Sequence, residues 1–290
     1  MKKIITILSL LVTLAVSATP VPERVFTNGE ASPFKYAKIL FPDIPPTSRP
    51  GGGGLIVIEE TVKHKKSLGF MFSSTIVGAK LDGDVVPDFK IVAVMHRVQN
   101  VLSNSLKSEF TTLEGLIVDR KSNNKAITLA GKDMNSYCHI MSKIIQQDYK
   151  VDVIYVPYKT TQEYRVDLGM GRVDVGCFGG IQLDGAGLYK HLVNITPEAA
   201  ALWTTAPRFT NTTIPPLYIY LIASNDWGDK EIGELQAHVR DTMKQNPAFV
   251  SELNKYFKTM FVTDNKEILT HRLKLEKEWD NVLMKSGFIK

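Results

Sequence analysis

Residues 154–176 have the residue spacing that most clearly suggests a binding site in this chain. A short β-rich run stops at Pro157, and Thr160 followed three residues later by Glu163 is the pattern of a capping box, which starts a helix. A second β-run follows the helix at residues 173–175. The N-terminus of this helix would offer unpaired N–H groups and a partial positive charge, which is chemistry suited to a carboxylate or a phosphate.

The elements that position this helix predict where its N-terminus lies. A strand, a helix and a strand joined by short loops favour parallel pairing of the two strands through a right-handed crossover. The loop before the helix then opens at the carboxyl edge of the sheet, where open α/β sheets bind their ligands. We therefore predict that Thr160 and Thr161 contact a ligand.

A second strand–loop–helix opening precedes the first one along the chain. A strand at residues 126–129 runs into a polar, glycine-containing loop and then into a helix that starts at Ser136. The backbone amides of Ser136 and Thr161 could together hold a carboxylate, and Lys132 would add positive charge. The ligand-binding residues predicted in this second loop are Gly131, Lys132, Asn135 and Ser136.

Strands and helices alternate along the chain, which predicts the α/β class. The run at residues 55–63 fits either a strand or a helix, and its periodicity does not distinguish them. We expect residues 19–54 to be loops around one helix, and the chain from residue 230 onward to be helical. Further strands are predicted at residues 69–72, 91–95, 191–195 and 218–223, and further helices at 32–40, 111–120, 136–148, 230–245, 247–256 and 266–285.

The N-terminal residues have the pattern of a secretory signal peptide. Lys2 and Lys3 precede an apolar run, and Ala18 suits the cleavage position. The apolar run is shorter than the roughly 20 residues of a membrane span, so we expect an exported protein without membrane insertion. The formal net charge of +5 includes Lys2 and Lys3, and the small remaining excess gives no argument for a nucleic-acid partner.

Catalytic and metal-binding patterns are weak in this sequence. The adjacent Cys138 and His139 point in different directions on a helix, so a nucleophile–base pair is disfavoured. The six histidines lack a metal-ligand spacing, so no metal or other cofactor is expected. Cys138 and Cys177 could form a disulfide in an exported protein, although two buried thiols are favoured because a chain of this size does not need a covalent link.

Several motifs resemble one known family. The sequences VPYK at 156–159 and GRVD at 171–174 resemble the VPYKG and GQVD signatures of the Bug-type extracytoplasmic solute receptors of tripartite tricarboxylate transporters. RPGGGG at 49–54 is similar to the RPGAGG motif of that family, which precedes a helix, and GFIK at 287–290 is similar to its closing GIK. The motifs occur in the family's order and cover most of the chain from Arg49 onward.

The resemblance implies an α/β protein with the two-domain fold of type II periplasmic binding proteins and a ligand cleft between the domains. It implies a periplasmic receptor rather than an enzyme, with a small carboxylate as ligand and the membrane subunits of a secondary transporter as partners. The expected division is a signal peptide at 1–18, a discontinuous first domain at 19–102 and 222–290, and a second domain at 103–221.

The resemblance also adds residues to the predicted site. Residues 28–32 stand in for the first ligand loop of the family, and residues 73–75 fall where the family has a polar ligand loop. Phe178 replaces a common aspartate and would form an apolar wall. The residues predicted on these grounds are Asn28, Ser32, Ser73, Ser74, Thr75 and Phe178.

Two alternative functions remain open from the sequence. A receptor of this kind could present its bound ligand to a membrane sensor instead of a transporter. An exported hydrolase could use Cys138 or a serine as its nucleophile.

Overall fold

The computed structural model describes residues 20–29, 32–134, 136–179, 189–195, 207–209 and 214–289. The predicted signal peptide at 1–18 and the predicted site residue Asn135 lie outside the described residues. The strands are β1 (Arg24–Thr27), β2 (Thr47–Ser48), β3 (Ser67–Phe72), β4 (Lys90–Val98), β5 (Asn100–Ser105), β6 (Ile127–Lys132), β7 (Val153–Tyr158), β8 (Val175–Gly179), β9 (Tyr189–Asn194), β10 (Leu217–Ala223) and β11 (Phe257–Val262).

The helices surround these strands in an α/β arrangement. They are α1 (Ser32–Leu40), α2 (Leu55–Lys63), α3 (Ser74–Asp82), α4 (Leu113–Ser122), α5 (Tyr137–Tyr149), α6 (Thr161–Met170), α7 (Asp229–Gln245), α8 (Pro247–Asn254) and α9 (Asn265–Lys285). The α/β class predicted from the alternating pattern is therefore confirmed.

The described strands form two sheets. The first has the order β11-β4-β10-β3-β1-β2, in which β1 pairs in parallel with β2 and β3. Strand β10 runs antiparallel to both β3 and β4, so β3 and β4 point the same way. The carboxyl ends of β1, β3 and β4 consequently meet at one edge of this sheet.

The second sheet has the order β7-β6-β8-β5-β9. Strand β6 is parallel to both β7 and β8, so the three carboxyl ends lie at one edge. The direct pairing of β7 with β8 that the sequence predicted is wrong, because β6 lies between them. The parallel direction was correct, since a crossover by α6 can skip one strand and still return to the same sheet.

The chain passes from the first sheet to the second through Gln99, the one residue between β4 and β5. It returns between β9 and β10. The predicted domain limits, after residues 102 and 221, fall inside β5 and β10 rather than between the sheets. The position of the domain boundary therefore stays a prediction, and strand membership favours moving it toward Gln99.

Strands β1, β2 and β11 and helix α3 are among the elements that the sequence prediction missed. Strands β1 and β2 are short and lie in a region rich in proline and glycine, where no alternation can develop. Strand β11 is at the edge of its sheet and is buried mainly at Phe257. It therefore lacks the alternation of buried and exposed residues by which a strand is predicted. Residues 73–75 were expected in a loop, but Ser73 is the N-cap of α3 and Ser74 and Thr75 are its first two residues. Residues 55–63 form the helix favoured by the resemblance.

Cys138 and Cys177 form a disulfide, with their Cα atoms 5.7 Å apart. The preference for two buried thiols was therefore wrong. The two cysteines are 39 residues apart in sequence, and only the packing of α5 against the second sheet brings them together. Because Cys138 is oxidised, it cannot serve as the nucleophile of a hydrolase in this state.

Candidate functional site

The first group of predicted residues meets at the carboxyl edge of the first sheet. Asn28 follows β1 directly, and Thr75 lies in the first turn of α3. A methyl group added to Gly54 would lie 2.6 Å from Thr75 Oγ1 and 3.1 Å from Asn28 Nδ2. Gly54 also has φ +103°, so both its conformation and this close approach require glycine. Asn28, Gly54 and Thr75 are therefore packed together.

The second group lies at the carboxyl edge of the second sheet. Lys132 ends β6 and Asp133 follows it. The hydroxyl of Tyr155, on the neighbouring strand β7, donates to the carbonyl oxygen of Asp133 at 3.0 Å and lies 3.1 Å from Ser136 Oγ. Ser136 Oγ in turn accepts from the backbone N–H of His139 and caps α5. Tyr155 thus holds the loop between β6 and α5 in place.

The two groups are in direct contact. The ammonium group of Lys132 donates to Asn28 Oδ1 at 3.2 Å, which joins residues 104 positions apart in sequence. The backbone N–H of Gly51 lies near the Asp133 carboxyl and acts to lower its pKa. The loop after β6 is therefore bound to the first sheet at Asn28 and lies near a second loop of that sheet at Gly51, and a cation lies where these loops meet.

Burial changes the ionisation of this cluster. It lowers the pKa of the Lys132 ammonium from its ordinary value, while the charge of Asp133 acts in the opposite direction. It raises the pKa of the Asp133 carboxyl, against the effects of Lys132 and of the Gly51 N–H. The charged atoms of the two residues are 3.9 Å apart. A carboxylate of a ligand beside Lys132 would further favour its charged form.

The N-terminus of α6 has the predicted capping box. Thr160 Oγ1 accepts from the N–H of Glu163 at 3.3 Å, and the Glu163 carboxylate accepts from the N–H groups of Thr160 and Lys159. The amide of Thr160 is therefore already bound. Because β6 and β7 are neighbours with Lys132 paired to Tyr158, the start of α6 follows on the same edge as the Lys132 loop.

Three predicted hydroxyl groups have partners within the protein. Ser32 Oγ lies 3.4 Å from His96 Nε2 in the core, and Ser73 Oγ accepts from the N–H of Tyr218 at 3.0 Å. Thr75 Oγ1 donates to the carbonyl oxygen of Gly53 at 2.8 Å. These groups stabilise the loops of the first sheet, which the sequence could not indicate. Ser74 is buried at the first position of α3.

The apolar wall predicted at Phe178 is wrong for this conformation. The side chain is fully buried and packs against the rings of Tyr164 and Tyr189. It belongs to an apolar cluster that also contains Leu168 of α6. The ring therefore supports α6 from inside the fold and cannot contact a ligand.

Asp133 and Tyr155 are the site residues that the sequence prediction omitted. The sequence patterns place Asp133 only in the polar loop before Ser136, and Tyr155 only in a β-rich run. The signal for Tyr155 was strand alternation, which places it on the opposite face from the exposed Ile154 and toward the adjacent helix. No comparable local signal marks Asp133, because its partner Gly51 belongs to the other sheet's loops.

Within the described ranges, no group of three His, Cys, Asp or Glu side chains is placed to hold a metal ion. Over the same ranges, no helix has the length and apolar character needed to cross a membrane.

Comparison with known proteins identifies the fold. No family model matches this sequence, and no curated protein matches it. Among solved structures, the chain is similar to the periplasmic binding protein BugD, with a TM-score of 0.76, 16% identity, and coverage of 92% of this chain and 99% of that one. It is similar to Rpa4515 of R. palustris with adipate, with a TM-score of 0.76, 16% identity, and coverage of 92% and 98%.

A further similar structure is MatC from Rhodopseudomonas palustris with bound malate, with a TM-score of 0.74, 15% identity, and coverage of 91% of this chain and 99% of that one. These proteins are periplasmic binding proteins or carry a bound dicarboxylate. The likeness extends over nearly the whole of each chain, and it shows that this protein has the two-domain fold of periplasmic binding proteins.

Proposed function

We propose that this protein is an exported receptor that captures a small organic acid, most simply a carboxylate, between the loop edges of its two sheets. The receptor would deliver the acid in the periplasm to the membrane subunits of a tripartite tricarboxylate-type transporter. The observation that carries the proposal is the Lys132 ammonium, which lies at the meeting point of both groups of loops and contacts Asn28.

The chemistry of this meeting point suits an anionic ligand. A partly buried ammonium group loses hydration, and a carboxylate can replace that hydration with a charge-assisted hydrogen bond. Besides the Asp133 carboxylate at 3.9 Å, Lys132 has a hydrogen bond to the neutral amide of Asn28, a weaker acceptor that a ligand carboxylate could displace. The adipate and malate bound in proteins of the same fold support this ligand class.

The test is a binding screen with a matched pair of variants. Thermal shift followed by titration calorimetry would use acetate, malate, adipate and citrate as probes, because a ligand that binds only the native state raises the melting temperature. Lys132→Met should weaken the best probe at least tenfold. Lys125→Met removes the same charge from an exposed turn outside the candidate site and should leave the affinity unchanged.

Two results would contradict the proposal. One is the absence of binding by every carboxylate in the panel, and the other is an equal loss of affinity in both lysine variants. Pull-down of the exported protein with transporter membrane subunits would separate delivery to a transporter from presentation to a membrane sensor.

The hydrolase alternative is disfavoured by the surroundings of its candidate nucleophiles. Cys138 is held in the disulfide, and Ser32, although near His96, is buried together with that histidine. Cys138 cannot act as a nucleophile while it is oxidised, and a substrate cannot reach the buried Ser32 in this conformation. Turnover of an ester or amide substrate by the purified protein would restore the alternative.

A further inference from the structure

Cys177 is the point at which both helices of the candidate site are fastened to the second sheet. Its sulfur is bonded to Cys138, the second residue of α5. Its carbonyl oxygen accepts a hydrogen bond of 2.9 Å from the hydroxyl of Tyr164 in α6. The two helices whose N-termini face the candidate site therefore share one attachment on β8.

The attachment is on a firmly held strand. Strand β8 is the middle strand of its sheet and pairs with β6 on one side and β5 on the other. Cys177 and Tyr164 are each only 1% exposed, and the ring of Tyr164 packs on Phe178 at a centroid distance of 4.9 Å. Movement of either helix start relative to β8 would therefore have to disrupt the core.

Cys138 also packs closely against the end of β6. A methyl group added to Gly131 would lie 2.7 Å from Cys138 Cβ and 2.6 Å from the hydroxyl oxygen of Tyr155. The loop that carries Lys132 begins at this crowded position and ends at Ser136, two residues before Cys138. Both ends of the loop are thus fixed, one by strand pairing and the other by the disulfide.

We propose that Cys138, Cys177 and Tyr164 are positioning residues for ligand binding: the disulfide and the Tyr164 hydrogen bond hold the starts of α5 and α6, with the Lys132 loop, in one fixed arrangement. The expected effect of these residues on ligand affinity rests on the proposed function. The structural part of the inference, the fixing of the loop and of the two helix starts, is independent of any ligand.

Without the disulfide, the described contacts of the Lys132 loop are hydrogen bonds. They include the contacts of Tyr155 with Ser136 and with the carbonyl of Asp133, and that of Lys132 with Asn28. Such bonds open and close individually, whereas the disulfide persists until it is reduced. Loss of the disulfide should therefore increase local opening of residues 132–142 more than it affects the first sheet.

The first experiment is hydrogen–deuterium exchange of the unliganded protein. The Cys138→Ser/Cys177→Ser double variant should exchange at least tenfold faster in peptides covering 132–142, while peptides from β3 and β10 stay unchanged. Treatment of the wild type with a dithiol should have the same effect, because the dithiol gives two electrons and two protons to the cystine and becomes a cyclic disulfide. Unchanged exchange at 132–142, or equal acceleration everywhere, would overturn the proposal.

The second experiment measures affinity with malate and adipate as probes. The double variant should weaken the better probe at least fivefold, and Tyr164→Phe, which removes the other attachment of Cys177, at least threefold. Thr112→Ala is the control, because it destabilises the protein by removing the N-cap of α4, the helix before β6, without touching the attachment.

The outcomes separate the two inferences. If neither probe binds the wild type, the proposed function fails for these acids, and the exchange experiment still decides whether the disulfide fixes the loop. If the probes bind and Thr112→Ala weakens them as much as the double variant does, the positioning role is refuted.

Discussion

Lys132 and Asn28 are joined by a 3.2 Å hydrogen bond between the ammonium group of the first and the amide oxygen of the second. Lys132 ends a strand of the second sheet, and Asn28 follows a strand of the first. A ligand carboxylate that takes the place of Asn28 must replace this bond. The measured affinity will therefore reflect the difference in free energy between the ligand–Lys132 contact and the Asn28–Lys132 contact, and not the strength of the ligand contact alone.

The amide of Thr161 can be removed without disturbing the helix that it begins. Thr161 is the first residue of α6, where proline is tolerated, and the preceding Thr160 has the extended conformation that proline favours. If this amide binds the ligand, Thr161→Pro should lower probe affinity at least tenfold. Calorimetry would compare it with Asp229→Pro, which places proline at the first position of α7. Equal affinity in the two folded variants would show that the Thr161 amide does not bind the ligand.

Tyr155→Phe should reduce both stability and affinity. The hydroxyl contacts Ser136 and the carbonyl of Asp133, so its loss should lower the free energy of unfolding by about 1 kcal/mol. Thr61→Val is a suitable control, because the buried Thr61 hydroxyl also donates to a backbone carbonyl, that of Val57, but within α2 and outside the Lys132 loop. Urea unfolding should give similar losses for both variants, and only Tyr155→Phe should weaken the probe.

Gly131→Ala should be destabilising because of crowding. The added methyl group would meet Cys138 and Tyr155 at 2.7 Å or less, which predicts a loss of about 1–3 kcal/mol. Gly233→Ala gives the opposite expectation, since Gly233 lies inside α7 with no atom within 4 Å of the new group. That change should stabilise the protein by about 0.5–1 kcal/mol. Melting temperatures that move in the same direction would contradict this account of Gly131.

Stability should fall on acidification because of His96. Complete burial lowers the pKa of His96 from 6.5 to about 3, so between these values the unfolded chain binds a proton that the folded protein does not. The contribution of His96 to the free energy of unfolding is therefore complete above about pH 6.5. Below that pH it decreases by about 1.4 kcal/mol per pH unit. His96→Gln should reduce this slope in urea unfolding between pH 6 and 4. A slope that is unchanged in the variant would assign the effect to other groups.

Local signals in the sequence located most helices well. The Thr160–Glu163 capping box occurs as predicted, and the predicted limits of α1 at 32–40 match the structure. In α9, predicted at 266–285, apolar residues at helical spacing such as Leu275 and Trp279 are buried, whereas Leu269 is exposed. These features depend on residues within one or two turns of each other, which is the range over which capping and periodicity act. For α4, predicted at 111–120, the capping residue is Thr112 and the helix runs from Leu113 to Ser122.

The candidate site was harder to predict because its contacts are between distant residues. The Lys132–Asn28 contact, the Asp133–Gly51 contact and the disulfide each depend on how the helices and sheets pack. Sequence patterns predicted that polar loops open at the strand ends, and this part agrees with the structure. They could not indicate which hydroxyl groups, such as that of Thr75, would be used to support neighbouring loops.

The passage of the chain through Gln99 limits how the two sheets can move. One residue separates β4 from β5, so a rotation of the second sheet must change the backbone torsion angles of very few residues at this crossing. Gln99 is 6% exposed, and its side-chain oxygen has no hydrogen-bond partner in the described part of the chain. The side-chain oxygen therefore provides no hydrogen bond to oppose such a rotation, and what holds this crossing is the backbone pairing of β4 and β5 on either side of Gln99.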